Sequence, residues 1–168
     1  MKQLSIFRLL TFILLPFAGI FGLFALLFLL AALVNPAILL AAFLFACIAI
    51  YSFTSLSFLQ KGIESGRPCK PGLRDWIRVN AYVCVFVGIM FFLNAVSIFI
   101  SDPATLRSAM TQLIEAQSGA GAGIDVDMFM RILKGMAGFF FFFSILLLVH
   151  VFLNFRLMKI YRHVFRAS

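Results

Sequence analysis

The stretch LLTFILLPFAGIFGLFALLFLLAALV, Leu9 to Val34, has no ionisable side chain. As a helix rising ~1.5 Å per residue it would be about 39 Å long, more than the ~30 Å of hydrocarbon in a bilayer. The preceding MKQLSIFR is basic, like the start of a secretion signal. A signal's apolar region is only about 7 to 15 residues long, however, and this run is far longer, so it is read as a span. Pro16 removes one backbone donor inside it, and a kink there would let residues 5 to 15 lie partly along the interface.

Working outward, three further blocks of the same kind follow: Ala37 to Leu59, Val79 to Ile100 and Met136 to Leu157. With 64% hydrophobic and 12% charged residues and a mean hydropathy of +1.11, the chain is far from a soluble domain, where about a quarter of residues are charged. In lipid the backbone must satisfy its own hydrogen bonds, and no block shows the alternation of a barrel strand. The expected fold is therefore all-α: one integral membrane domain over residues 1–168 with four transmembrane helices. At 168 residues there is no room for a separate soluble domain.

The cations are distributed unevenly. Eleven of the fourteen Lys and Arg residues lie at the N-terminus, in the 60–78 loop or in the C-terminal tail. Arg107, Arg131 and Lys134 lie in the opposite segment, 101–135, with four of the six acids. The positive-inside rule then places both termini in the cytoplasm, most simply at a bacterial inner (plasma) membrane. The net charge of +8 is in this reading a topological signal, and no nucleic-acid partner is expected.

The basic loop leads into RPCKPGLRDWIRVN, residues 67–80, which holds the only tryptophan. Pro68, Pro71 and Gly72 make a turn that no helix can continue through. Beyond it Leu73, Trp76, Ile77 and Asn80 recur at helical spacing, with Arg74 and Arg78 one turn apart on another face. This is the grammar of an interfacial anchor, indole at headgroup depth and arginines on phosphates. Arg67, Lys70, Arg74, Trp76 and Arg78, joined by Arg156, Lys159 and Arg162, are the candidate contacts for an anionic lipid or an acidic partner.

The opposite segment predicts a short amphipathic helix between the third and fourth spans. Ser101 or Asp102 can cap it, Pro103 suits its first turn, and Leu106, Ala109, Met110, Leu113, Ile114 and Gln117 share a face. SGAGAG at 118–123 reads as a flexible break. Asp125 can then cap a stretch that runs into the fourth helix. Its place is the outer leaflet or the end of the bundle, with a lid or a docking face for another protein as the alternative.

Polar residues within spans are costly and therefore informative. His150 is the one ionisable side chain there whose charge could change near neutral pH. Counted from the outer ends of their helices, Tyr51 and His150 are each ~14 residues, or ~21 Å, deep. They are the candidate intramembrane polar contact, with Tyr82 and Cys84 approaching the same level. Ser52, Thr54, Ser55, Ser57, Asn94 and Ser97 read mainly as packing groups that bond to nearby carbonyls or a neighbouring helix. The alternative is a wet inner vestibule lined by Ser52, Ser55 and Asn154. Ala18, Gly19, Gly22 and Ala25 offer a small-residue contact face, and the five phenylalanines 139–143 point all round the helix.

No catalytic pattern is present: HExxH, GxSxG and a phosphate-cradling loop ending in GK[ST] are all missing, as is a membrane histidine pair for haem. No catalytic residue, metal ligand or cofactor is assigned. Cys47, Cys69 and Cys84 form no CxxC, which argues against disulfide-generating membrane oxidases. The membrane glutamate of small four-helix drug exporters is missing too. The expectation is a noncatalytic structural or accessory subunit that packs against other membrane subunits or copies of itself. A small oligomeric channel or transporter is the alternative, and a membrane enzyme or lipid-handling protein comes third.

Overall fold

The computed structural model describes residues 2–118 and 125–165. Among these every regular element is helical: α1 (Lys2–Ala32), α2 (Leu39–Ser57), α3 (Pro71–Ile100), α4 (Pro103–Ser118) and α5 (Val126–Ile160), in chain order. A 3-10 turn, Pro36–Ile38, leads into α2, a π-helical segment, Phe58–Glu64, prolongs it, and a second 3-10 turn, Arg162–Phe165, follows α5. Four of these helices are long and apolar enough to cross a membrane, and the protein is a multi-pass membrane protein.

The local chemistry explains where the helices begin. Asn35 Oδ1 accepts from the Ala37 amide at 3.1 Å and Pro36 takes the first helical position, which turns the chain from α1 into α2. Asp102 accepts from both the amide and the hydroxyl of Thr105, at 3.0 and 3.1 Å, and so starts α4 at Pro103. Asp125 Oδ1 accepts from the Asp127 amide at 2.9 Å and starts α5. Two helices extend past their apolar blocks: α3 begins at Pro71, so Pro71 and Gly72 form its first turn and are not part of a turn before it, and α5 begins at Val126, next to the expected Asp125 cap. The extra turns mix apolar with charged residues, Arg74, Asp75 and Arg78 in α3 and Asp127, Arg131 and Lys134 in α5, which interrupt the apolar run. The SGAGAG break falls, from residue 119 on, outside the described residues.

Helix α1 is unbroken through Pro16. Its first turns belong to the bundle, since Phe7, Leu10, Thr11 and Leu14 are all buried; they do not form a separate interfacial segment. The lost donor of Pro16 is a cost that membrane helices tolerate where neighbouring groups compensate.

The chain packs as two compact units, residues 1–88 with 146–168, and residues 89–145. In the first, α1 meets α2 through Phe21 against Phe45 at 5.2 Å and through Gly22, where an added Cβ would stand 3.6 Å from that of Ala49. Helix α3 meets α5 through Gly88, where an added Cβ would come within 3.0 Å of the Leu148 side chain. At the end carrying both termini, Gly66 takes a φ of +59°, which a glycine adopts freely, and reverses the chain after the π-helical segment. The Cys69 amide there donates to the Val164 carbonyl at 2.8 Å, and Phe58 stacks on Phe165 at 5.1 Å.

In the second unit, aromatic pairs join the far half of α3 to the near half of α5. Phe91 meets Phe140 at 4.7 Å and Phe92 meets Phe141 at 5.2 Å. The five consecutive phenylalanines divide accordingly: Phe143 is buried, Phe140 and Phe141 are half-buried, and Phe139 and Phe142 are exposed. Arg107 of α4 pairs with Asp127 at 3.2 Å.

Candidate functional site

The most polar place inside the bundle is a chain of side chains that joins α1, α2 and α5. Periodicity puts Tyr51 and Ser55 on one face of α2, and His150 and Asn154 on one face of α5, each pair one turn apart. Tyr51 Oη lies 2.8 Å from His150 Nδ1. Asn154 Nδ2 donates to Ser55 Oγ at 2.6 Å and to Tyr51 Oη at 3.2 Å. On the other side of the imidazole, His150 Nε2 lies 2.9 Å from Thr11 Oγ1 of α1. Phe7 stacks flat on the histidine ring, centroids 4.7 Å apart. Thr11 is 3% exposed, His150 and Asn154 1%, Tyr51 and Ser55 0%.

The directions of these bonds follow from counting protons. The hydroxyl of Thr11 has one hydrogen, and it goes to the Phe7 carbonyl at 2.8 Å. Thr11 Oγ1 can therefore only accept from His150, which fixes the ring proton on Nε2. Nδ1 of the neutral ring is then an acceptor, and Tyr51 donates to it. Asn154 in turn donates to the tyrosine oxygen. The run Asn154 to Tyr51 to His150 to Thr11 to the Phe7 carbonyl is thus oriented one way, and each hydrogen in it has an acceptor. A doubly protonated ring would leave the tyrosine hydrogen without one. Asn154 Oδ1 is the one buried side-chain oxygen among the described residues with no partner.

Of the other intramembrane candidates, Cys84 is buried with its Sγ 4.0 Å from the Cys47 carbonyl. Tyr82 lies elsewhere: it is 67% exposed and packs on Phe155 at 5.6 Å. The hydroxyls of α2 do as membrane hydroxyls commonly do, Ser52 donating to the Ile48 carbonyl and Thr54 to that of Ile50. Ser52, Ser55 and Asn154 are all buried, so they line no open vestibule in this chain. Thr11 was not foreseen as a member of the site. A lone threonine in an apolar run bonds to its own helix, as this one does, and only its remaining lone pair reaches another helix.

The basic residues gather at the end that carries the termini. Arg8 pairs with Glu64 at 2.7 Å, tying α1 to the π-helical segment. Arg67, Lys70, Arg78, Arg156, Lys159 and Arg162 are exposed and Arg74 is half-buried. Trp76 is exposed, while its neighbours in the chain or one turn on, Ile77 and Asn80, are buried. The boundary between core and surroundings thus passes between Trp76 and Ile77. The Cys69 thiol, outside the spans, is buried, which pushes its pKa up against a smaller lowering by Lys61.

Among the described residues there is no group of His, Cys, Asp and Glu able to hold a metal ion. Compared with known protein families, curated proteins and solved structures, the chain matches none, and its family is not assigned.

Proposed function

We propose that this protein is a noncatalytic multi-pass subunit that packs in the membrane against other subunits or copies of itself. The observation that carries the reading is the buried hydrogen-bond chain through Thr11, Tyr51, His150 and Asn154. A catalytic or conducting histidine needs a route to substrate, water or a second titratable group, and here both ring nitrogens are bound to side chains of neighbouring helices. Such an arrangement fastens three helices in one register, as interhelical hydrogen bonds do in membranes. Both termini lie in the cytoplasm in this proposal, and the membrane is the inner (plasma) membrane of a bacterium. Extraction in mild detergent followed by native mass measurement tests it: a mass containing further polypeptides or whole multiples of the chain is expected, and a lone monomer in every detergent would refute it.

A second reading is favoured by one specific observation. Asn154 Oδ1 is buried without a hydrogen-bond partner, and a small oligomeric transporter whose chains opened inside would offer that acceptor to a donor on its cargo. In that reading His150→Gln abolishes a flux measured in liposomes while stability is retained.

A further inference from the structure

Helices α3 and α5 run antiparallel, and two contacts fix their register: Gly88 against Leu148, and Tyr82 against Phe155 with ring centroids 5.6 Å apart. One turn from the second contact toward the basic end, on the same helix faces, stand Arg78 of α3, four residues before Tyr82, and Lys159 of α5, four residues after Phe155. Another turn brings Arg74, and Arg162 in the 3-10 turn beyond α5. Helical periodicity therefore puts Arg74, Arg78 and Lys159 near the mouth of one seam.

Among the described residues no acid pairs with them. Among the described residues the ion pairs are Arg8 with Glu64 and Arg107 with Asp127. Asp75, three residues before Arg78, is exposed and pairs with neither arginine. Arg74 Nε is buried and has no acceptor, an unfilled donor on a guanidinium at this very place. Like charges facing one another across a helix seam repel, and a guanidinium donor without a partner is costly when buried. An oxyanion between the cations relieves the repulsion and offers the Arg74 guanidinium an acceptor.

The surface just below selects the kind of anion. Further into the span Phe152 of α5, three residues before Phe155, is exposed, as is Tyr82 of α3. A molecule with phosphate at one end and hydrocarbon at the other matches both parts, with the aromatic hydroxyl of Tyr82 at the boundary. We propose that the α3–α5 seam is a binding site for one anionic phospholipid. Its phosphate is held by Arg74, Arg78 and Lys159, and an acyl chain lies along Tyr82 and Phe152. This goes beyond general attraction of a basic surface to anionic lipid, since it places one lipid at one seam and names which cations hold it.

The test uses the full chain in vesicles of phosphatidylcholine and phosphatidylglycerol, extracted and weighed by native mass spectrometry. The wild-type chain is expected to retain phosphatidylglycerol in preference to phosphatidylcholine. Arg78→Gln with Lys159→Gln is expected to weaken that retention roughly 30-fold, two contacts of roughly 1 kcal/mol each. Arg78→Lys with Lys159→Arg, which keeps both charges, retains the lipid, and so does the opposite-end pair Arg131→Gln with Lys134→Gln. Retention unchanged in the Gln pair, or lost equally in the opposite-end pair, overturns the site. Loss in the charge-keeping pair would assign the effect to altered packing and overturn it as well. Competition by millimolar inorganic phosphate that strips the lipid would make free phosphate the ligand, against the proposal.

Discussion

Replacing His150 by leucine removes the middle of the chain that joins α1, α2 and α5. Tyr51 loses the acceptor for its only hydrogen and Thr11 loses its donor. The two losses differ in kind. Thr11 keeps its bond to the Phe7 carbonyl, whereas the tyrosine hydroxyl is left as a buried, unpaired donor beside a leucine. Hydrogen bonds between membrane helices average ~0.6 kcal/mol, with an upper value near 1.7. Two of them amount to roughly 1 to 3 kcal/mol, and the lost stacking on Phe7 adds roughly 0.5 to 1.5. His150→Leu is therefore expected to destabilise the bundle by about 1.5 to 4.5 kcal/mol. Glutamine carries an acceptor and a donor, so it can receive from Tyr51 and donate to Thr11; its cost is expected to stay near or below ~1 kcal/mol. Equilibrium unfolding in mixed micelles, followed by circular dichroism, measures both. The two bonds to the imidazole have their own check. In double-mutant cycles, Thr11→Val and Tyr51→Phe should each couple to His150→Leu by roughly 0.6 to 1.7 kcal/mol. A leucine variant as stable as the wild type, or a glutamine variant as weak as leucine, would refute the reasoning.

Other perturbations separate topology, reactivity and packing. A cysteine replacing Ala120 should react with an impermeant maleimide from outside intact cells and one replacing Ser65 should not; reversed labelling would invert the proposed orientation. Native Cys69 is a poor reporter for that purpose, because burial raises its pKa and leaves less thiolate at neutral pH. In detergent, where both faces are accessible, it should alkylate far more slowly than a cysteine at the exposed position 65. Its rate should keep rising with pH beyond the point at which an ordinary thiol levels off, and equal rates at pH 7.5 would contradict the packing around it. Gly88→Val should cost about 1 to 3 kcal/mol by overpacking, since even a Cβ there would come 3.0 Å from Leu148. Leu148→Ala should recover part of that loss in unfolding measurements. Gly62→Ala should loosen the turn at Arg162–Phe165, because its Cβ would stand 3.1 Å from both Phe58 and Val164 and 3.2 Å from Cys69; faster removal of the C-terminal residues by carboxypeptidase is the readout.

Hydropathy along the chain was enough to determined four membrane helices, because burial in lipid depends on composition over about 20 residues and hardly on what those residues touch. The helix starts at Asp102 and Asp125 were legible for a similar reason: a cap is a contact between near neighbours in sequence. The common depth of Tyr51 and His150 could also be counted, since helical rise converts residue number into distance. What the sequence could not give was rotation about the helix axes. Whether His150 faces Thr11, 139 residues away, or whether Tyr82 faces the core or Phe155, depends on how ridges of one helix settle into grooves of another. That choice is made by contacts such as Gly88 with Leu148 and Phe7 with the imidazole, whose partners lie on different helices. The same packing decided that Thr11 and Asn154 complete the buried chain.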